Sequence, residues 1–463
     1  MTTTTVPIIP KRQTFAKVNA QRELHLEAIC IFAATGFFLD QDTYWKDEIV
    51  LKPGTQYDLD ENRFVLSQKE YFKWYHEPRQ ISFESALGEF IDLFEGIVKE
   101  QSNHQNILLP ISGGLDSRTQ ATALHHMNID VDSYSYSFEQ GFKEHDIAKQ
   151  VAKVCNFRFN QYLIRPNYLW KVLNDMSDIN GCYSEFTHPR QIAVLDDLKK
   201  MKGEFSLGHW GDVLFDRGIA SKDELIPEVD LVYKKIIKKG GLALAKSLWQ
   251  SWNLVGDFET YLKQRIQDLL NKIDIQHKGA KIRAFKSLYW APRWTSVSLS
   301  FFEFAHPIHV PYYDDRMCHF ICQIPEEHLA DRKIQIEYIK RRNPKLAKIS
   351  WQDHMPYNLY NYRKNQFPAN LPYRVKNKLN RELNSIFGKK HIQRNWELQF
   401  LGSENETHLM NHLFNVQTFK LLDKTLITDF YSKFKNDDPV FYSHSVSTLL
   451  TLSLFSQKKM DDY

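Results

Sequence analysis

The hexapeptide Ser112-Gly113-Gly114-Leu115-Asp116-Ser117 sets two hydroxyls, two glycines and a carboxylate side by side. These groups together suit a phosphate ester. The hydroxyls of Ser112 and Ser117 can donate to phosphate oxygens, and glycine lets successive backbone N–H groups turn towards one point. Asp116 alone would repel a phosphate, so the pattern calls for a divalent cation between them, and Mg2+ is the usual one. A second acid stands in a similar setting in "FSLGHWGDVLFDRG", residues 205–218. There a short apolar run ends at Gly208, and Asp212 follows another glycine. Asp116 and Asp212 could hold one Mg2+ against the β- and γ-phosphates; the alternative for Asp212 is a helix N-cap. No Gly-Lys-Ser/Thr follows Gly113 and Gly114, which excludes a Walker-type loop.

Such a loop needs rigid elements on both sides. Ile107, Leu108, Leu109 and Ile111 read as a short strand buried in a parallel sheet. Residues 117–127 lack Gly and Pro, and Ala121, Leu124 and Met127 share one helical face. A strand, a tight turn and a helix aim backbone N–H groups and a helix N-terminus at one ligand. Downstream, "VDSYSYSF" (131–138) alternates as a second strand, "EHDIAKQVAKVCNF" is a helix capped near Asp146, and "RFNQYLI" is a third strand. This alternation predicts an α/β protein with a doubly wound parallel sheet and a nucleotide at the carboxyl ends of its strands. Upstream lie an apolar helix, "LEAICIFAATGFFL", and "IVLKPGTQYDLDENRFVLSQ", two strands with turns at Pro53-Gly54 and Asp60-Glu61-Asn62. The amphipathic helix "ISFESALGEFIDLFEGIVKEQ" leads into the phosphate-loop strand. Residues 220–300 read as mostly helical, with the basic run "YKKIIKKGG" as a solvated helix face.

The whole-chain numbers describe an ordinary globular protein. The 463 residues are 43% apolar and 25% charged, with a formal net charge of +4. That balance makes no electrostatic case for nucleic acid or membrane. No apolar run reaches the roughly 20 residues of a membrane span, and residues 1–20 read as a frayed tail rather than a signal peptide. Cys30, Cys155, Cys182, Cys318 and Cys322 are scattered and odd in number, which predicts packing thiols in a reducing cytoplasm.

The hexapeptide resembles the pyrophosphate loop of the ATP pyrophosphatases, whose sheet is adenine nucleotide alpha hydrolase-like. Within that superfamily the flanks are similar to asparagine synthetase. "LKPGTQYDLDENRFVLSQKEYFKWY" is similar to the closing piece of that family's glutaminase domain, of which 1–95 would be a truncated remnant. The synthetase-like domain would then span 96–385, with a helical C-terminal extension over 386–463. Position 2 is Thr2, where the family's glutamine-attacking cysteine would stand. The resemblance implies ATP around Ser112, Gly113, Gly114, Leu115, Asp116, Ser117 and Arg118, with Leu207 and Gly208 contacting adenylate and Asp116 and Asp212 binding Mg2+. Three residues depart from the family's second segment: His209 replaces a glutamate, Trp210 a glycine and Val213 an acid. His209 is there either a proton acceptor, its pKa lying near neutrality, or a partner for phosphate or Trp210. "FAHPIHVPYYDDRMCHF" matches a further family stretch at Val310, Pro311 and Asp314, with His309 at an arginine. One lysine among Lys340, Lys345 and Lys348 would contact pyrophosphate.

The activity implied is an AMP-forming amide ligase acting on a small-molecule or peptide carboxylate. Its nitrogen source would be ammonia or an amine, with a separate ammonia-supplying protein as a potential partner. Two alternatives stand beside it: a tRNA-modifying adenylating enzyme, and a degenerate nucleotide-binding regulator.

Overall fold

The computed structural model describes residues 14–102, 106–139, 141, 144–187, 189–215, 219, 223–376, 379 and 392–459. Two small antiparallel pairs come first: β1 (Phe15–Lys17) with β2 (Glu48–Val50), and β3 (Thr55–Leu59) with β4 (Val65–Glu70). A five-stranded parallel sheet follows, built from β5 (Ile107–Pro110), β6 (Val131–Phe138), β7 (Arg158–Ile164), β8 (Glu204–Ser206) and β9 (Ile308–His309). Its order is β7-β6-β5-β8-β9, so the chain is a mixed α/β protein. Winding runs outward from β5 through β6 to β7, then returns to the other side of β5 with β8. In open α/β sheets the crevice for a ligand lies where the order reverses, here between the carboxyl ends of β5 and β8.

The central strand β5 is buried on both faces, as the interior of a parallel sheet requires, while the edge strand β7 is largely exposed. Along β5, Ile107 and Leu109 pack into one core while Leu108 packs into the opposite one. The first core is closed by the amphipathic helix Phe83–Gln101, capped by Ser82, and by the helices Leu115–His126, Glu144–Cys155 and Lys333–Arg342. The helix expected near Asp146 starts at Glu144, which leaves Asp146 in its first turn.

The opposite core collects chain from both ends and the middle. Helix Leu26–Thr35 is apolar all round, and Ala28 through Ala34 each have 0% exposure, so it sits inside other elements instead of on them. Its neighbour Gly241–Ser251 comes so near that a Cβ on Gly241 would lie 2.6 Å from the Ala34 carbonyl oxygen. Phe15, Ile31, Leu244 and Phe455 belong to this one cluster. Within the stretch 1–20 expected to be frayed, Phe15–Lys17 instead form β1; residues 1–13 lie outside the described ones. The boundary at 385 also lies outside them. The basic run is only partly a solvated face. Lys234 and Lys235 are exposed, but Lys238 turns inward over the Trp294 ring, 3.8 Å from its centre, and burial pushes its pKa down.

All five cysteines are free thiols, and four of them are buried. No helix among the described residues is long and apolar enough to cross a membrane.

Candidate functional site

The two glycine-containing segments meet at the crevice. The first leaves β5 at Pro110 and enters the helix Leu115–His126 through Gly114. Its hydroxyls hold the turn in shape: Ser112 N–H donates to Ser117 Oγ at 3.1 Å, and Gly114 N–H donates to Ser112 Oγ at 3.2 Å. The second leaves β8 and enters the short helix Gly211–Leu214. Glycine is needed here for close approach. A Cβ on Gly211 would lie 2.3 Å from Asp116 Oδ1, and one on Gly208 would lie 3.0 Å from the Asp116 backbone. Gln120 Nε2 donates to Ser206 Oγ at 3.0 Å and fastens the first helix to β8.

Asp116 is the centre of this arrangement. Burial pushes its pKa up, the Arg332 cation pulls it down, and the nearby Asp212 carboxylate pushes it up again, leaving a net rise. Its Oδ1 receives Arg332 NH2 and, at 3.1 Å, Gln335 Nε2, which also donates to the Tyr312 hydroxyl at 2.8 Å. Arg332 reaches this point from a strained turn: Asp331 and Arg332 are consecutive non-glycine residues at φ 56° and 61°. Asp212 is exposed in the first turn of its helix and does not cap it; the N-cap is Trp210, at φ 76°.

Beside the turn, a cleft of about 110 Å³ opens at the carboxyl ends of β5 and β6, lined by Pro110, Ile111, Ser112, Tyr134, Ser135, Tyr136 and Arg190. Its lining mixes apolar and aromatic residues with two serines, and the exposed Arg190 holds its guanidinium over the Phe138 ring, 5.5 Å from the centre. On the other side the turn is backed by Gln352. That residue's N–H donates to the Gly113 carbonyl at 3.1 Å, and its side chain lies 2.5 Å from where a Gly113 Cβ would be.

The residues named from sequence divide into two groups. Ser112, Gly113, Gly114, Asp116, Ser117, Gly208 and Asp212 come together at the crevice. Leu115 and Leu207 have 0% exposure, so what they offer a ligand is backbone. Arg118 has a different role from the one expected. It has 0% exposure, and its guanidinium donates to the carbonyls of Ile349 (3.1 Å), Ser350 (2.8 Å) and Gly113 (3.4 Å), fastening residues 349–350 to the loop. His209 is half-buried one residue past Gly208, its ring edge-on to Phe302 at 5.9 Å. Its neighbour Trp210 turns away, and the indole N–H donates to Ser287 Oγ at 3.1 Å. His309 pairs with Glu204 at 2.6 Å, and Asp314 caps the helix Asp315–Cys322.

Lys340 bonds Glu337 at 2.8 Å, while Lys345 and Lys348 are exposed. The cation at the loop acid is Arg332, with Gln335, Gln352 and Arg190 around it. Sequence reasoning missed all four. The available signal was the basic pair of "ADRKIQ", just ahead of a periodic helix.

No family model matches the sequence, and no curated protein matches it. Among solved structures the chain is similar to the NMN synthetase of Francisella tularensis at 12% identity, over 45% of this chain and 94% of that one, with a TM-score of 0.23. A likeness that slight says nothing of this chain's chemistry.

Proposed function

We propose that the chain is an ATP-dependent, AMP-forming amide ligase of the asparagine synthetase type. One observation carries this reading. A phosphate-shaped turn and two carboxylates from two loops meet at the switch point of a parallel sheet, and a cleft lined by the ends of β5 and β6 opens beside the turn. The turn offers hydroxyls and N–H groups to a pyrophosphate, and the cleft offers the half-buried Tyr136 ring to a base.

The site fits a magnesium ion. Asp116 has its pKa raised by burial and by Asp212, so a cation between the two carboxylates relieves both. Mg2+ held by Asp116 and Asp212 would supply charge neutralisation for pyrophosphate. In the proposed reaction a substrate carboxylate oxygen bonds to the α-phosphorus of ATP, and the bond to the β-phosphate oxygen breaks. Ammonia or an amine then bonds to the acyl carbon, and AMP leaves with the carboxylate oxygen. Arg332, which bonds Asp116, would be the cation offered to the pyrophosphate charge. His209 is the candidate acceptor for the proton lost by the amine. Most of the work is positioning and electrostatics.

A second reading has its own support. Asp116 already has a cation and an amide on it, which would suit a protein that binds nucleotide without turning it over. Incubation with α-labelled ATP, Mg2+, ammonium and a mixture of carboxylic acids separates the cases. AMP and pyrophosphate are expected. ADP as the main product would sink the ligase reading, and tight binding without cleavage would favour the regulator.

A further inference from the structure

A second cluster of chemical groups lies outside the nucleotide crevice. His76 follows β4 on a segment zipped to the chain after the helix Asp315–Cys322: Glu77 N–H donates to the Cys322 carbonyl at 3.0 Å, and Arg79 N–H to that of Gln323 at 2.9 Å. His277 is the N-cap of the helix Lys278–Phe285. Glu326 opens the short helix Glu326–Leu329. The two imidazoles lie 4.8 Å apart between ring centres, and His76 Nε2 is 3.6 Å from Glu326 Oε1. One ligand atom from each of the three falls within 4.8 Å of the others. His76 Nε2 is buried and has no hydrogen-bond partner among the described residues.

We propose that His76, His277 and Glu326 bind a divalent transition-metal ion, Zn2+ foremost, which ties the segment after β4 to two helices. Two imidazoles and a carboxylate are a zinc-type donor set, whereas Mg2+ and Ca2+ prefer oxygen alone. Bonds of about 2.0–2.1 Å place tetrahedral ligand atoms about 3.3 Å apart, so the cluster needs to close by about 1.5 Å at most. The exposed His277 can supply that movement by side-chain rotation.

Two present contacts shape how the ion is held. Arg283 donates to both Glu326 oxygens, at 2.7 and 2.6 Å, and each oxygen keeps a second lone pair for the metal. Arg283 thereby fixes the carboxylate plane, as groups behind a ligand do. His277 Nδ1 accepts the Ala280 N–H at 3.2 Å, so in the neutral ring the proton sits on Nε2. Ligation through Nε2 moves that proton to Nδ1 and ends the cap bond, with no net proton released. The ion also pins Glu326 a short way before Arg332, the residue on Asp116.

The test uses full-length, chelator-treated protein titrated with Co2+ and then Zn2+, without ATP. One equivalent of Co2+ should bind with visible ligand-field bands, and Zn2+ should displace it. His277→Asn keeps a side chain suited to the cap but removes the imidazole. It should weaken binding more than about tenfold while leaving the metal-free melting temperature unchanged. His76→Gln should weaken binding equally, and Asp212→Asn should leave the bands in place. Absence of stoichiometric binding, full binding by His277→Asn, or loss of the bands in Asp212→Asn would each overturn the proposal. The titration involves no nucleotide, so its failure leaves the proposed reaction untouched.

Discussion

Replacing Arg332 by Met removes the cation that Asp116 now holds, and the consequences can be worked out in size and sign. The pair is mostly buried, with 14% of the Arg332 side chain and 22% of the Asp116 side chain exposed. Removing one partner of a buried pair costs about 3–5 kcal/mol, because a charge is left without compensation. Here the cost is smaller. Solvent still reaches Asp116, and Gln335 Nε2 still donates to it at 3.1 Å. About 2 kcal/mol is the expected loss in metal-free buffer. Asp116→Asn should remove most of the reason for that loss, so the double variant should be close to Asp116→Asn alone. The coupling energy of the cycle would then be about 1–2 kcal/mol.

Magnesium should reverse the ranking of effects. In Arg332→Met the two carboxylates face each other with no competing guanidinium, so added Mg2+ binds without first displacing one. At 10-fold excess over a dissociation constant, linkage gives about 1.4 kcal/mol of stabilisation. The parent protein must break the Arg332–Asp116 contact to bind the same ion, so its gain should be smaller. Urea unfolding of the four proteins, with and without Mg2+, measures every quantity in this argument. Equal stability of Arg332→Met and parent, together with equal Mg2+ shifts, would refute the idea that Arg332 occupies a cation position.

Other outcomes follow from the same geometry. Asp212 is exposed, so Asp212→Asn should leave stability within about 0.5 kcal/mol of the parent while AMP formation falls below detection. Arg118→Met leaves the buried carbonyls of Ile349 and Ser350 unpartnered, and should cost about 2–4 kcal/mol in urea unfolding. Were Arg118 a phosphate contact, ATP affinity would fall and stability would not. Burial lowers the pKa values of His25, His412 and His444 below their ordinary 6.5. The native state then binds fewer protons than the unfolded chain just below pH 6.5. Stability should therefore fall as pH drops from 6.5 towards 5, by up to about 1.4 kcal/mol per unit for each histidine. A flat profile over that range would contradict it.

The parts of the fold legible in the sequence are those specified locally. β6 and β7 occupy the expected stretches because their alternation sits between turn residues, and the glycine turn after β5 is readable because strand, glycines and helix are contiguous. The helix Pro439–Lys459 shows the limit. Thirteen of its 21 residues are buried, including Ser445, Ser447, Thr448, Thr451, Ser453 and Ser456. Composition gives such a helix a polar look. Burial is eased where its hydroxyls find partners: Thr451 Oγ donates to the Ser447 carbonyl at 2.9 Å, and Ser447 Oγ donates to Glu185 at 2.6 Å.

Within the site the same distinction separates Arg118 from Arg332. Arg118 is two residues past Asp116, and the resemblance implies that it lies among the residues around ATP. Its place on the helix instead turns it towards residues 349–350, which a sequence cannot show without knowing what packs there. Arg332 lies 216 residues from Asp116 and meets it only through tertiary structure. Trp210 carries the argument one step further. The segment that this stretch resembles has glycine there, and Trp210 adopts φ 76°, a conformation natural to glycine and strained by about 1–2 kcal/mol for other residues. Burial of the indole, at 8% exposure and bonded to Ser287, offsets that strain. The loop thus keeps a glycine-like backbone while its side chain braces the π-helix Lys286–Thr295. That backbone brings Gly208 and Gly211 against Asp116, so the departure at Trp210 alters what lies behind the site and preserves the approach of the two loops.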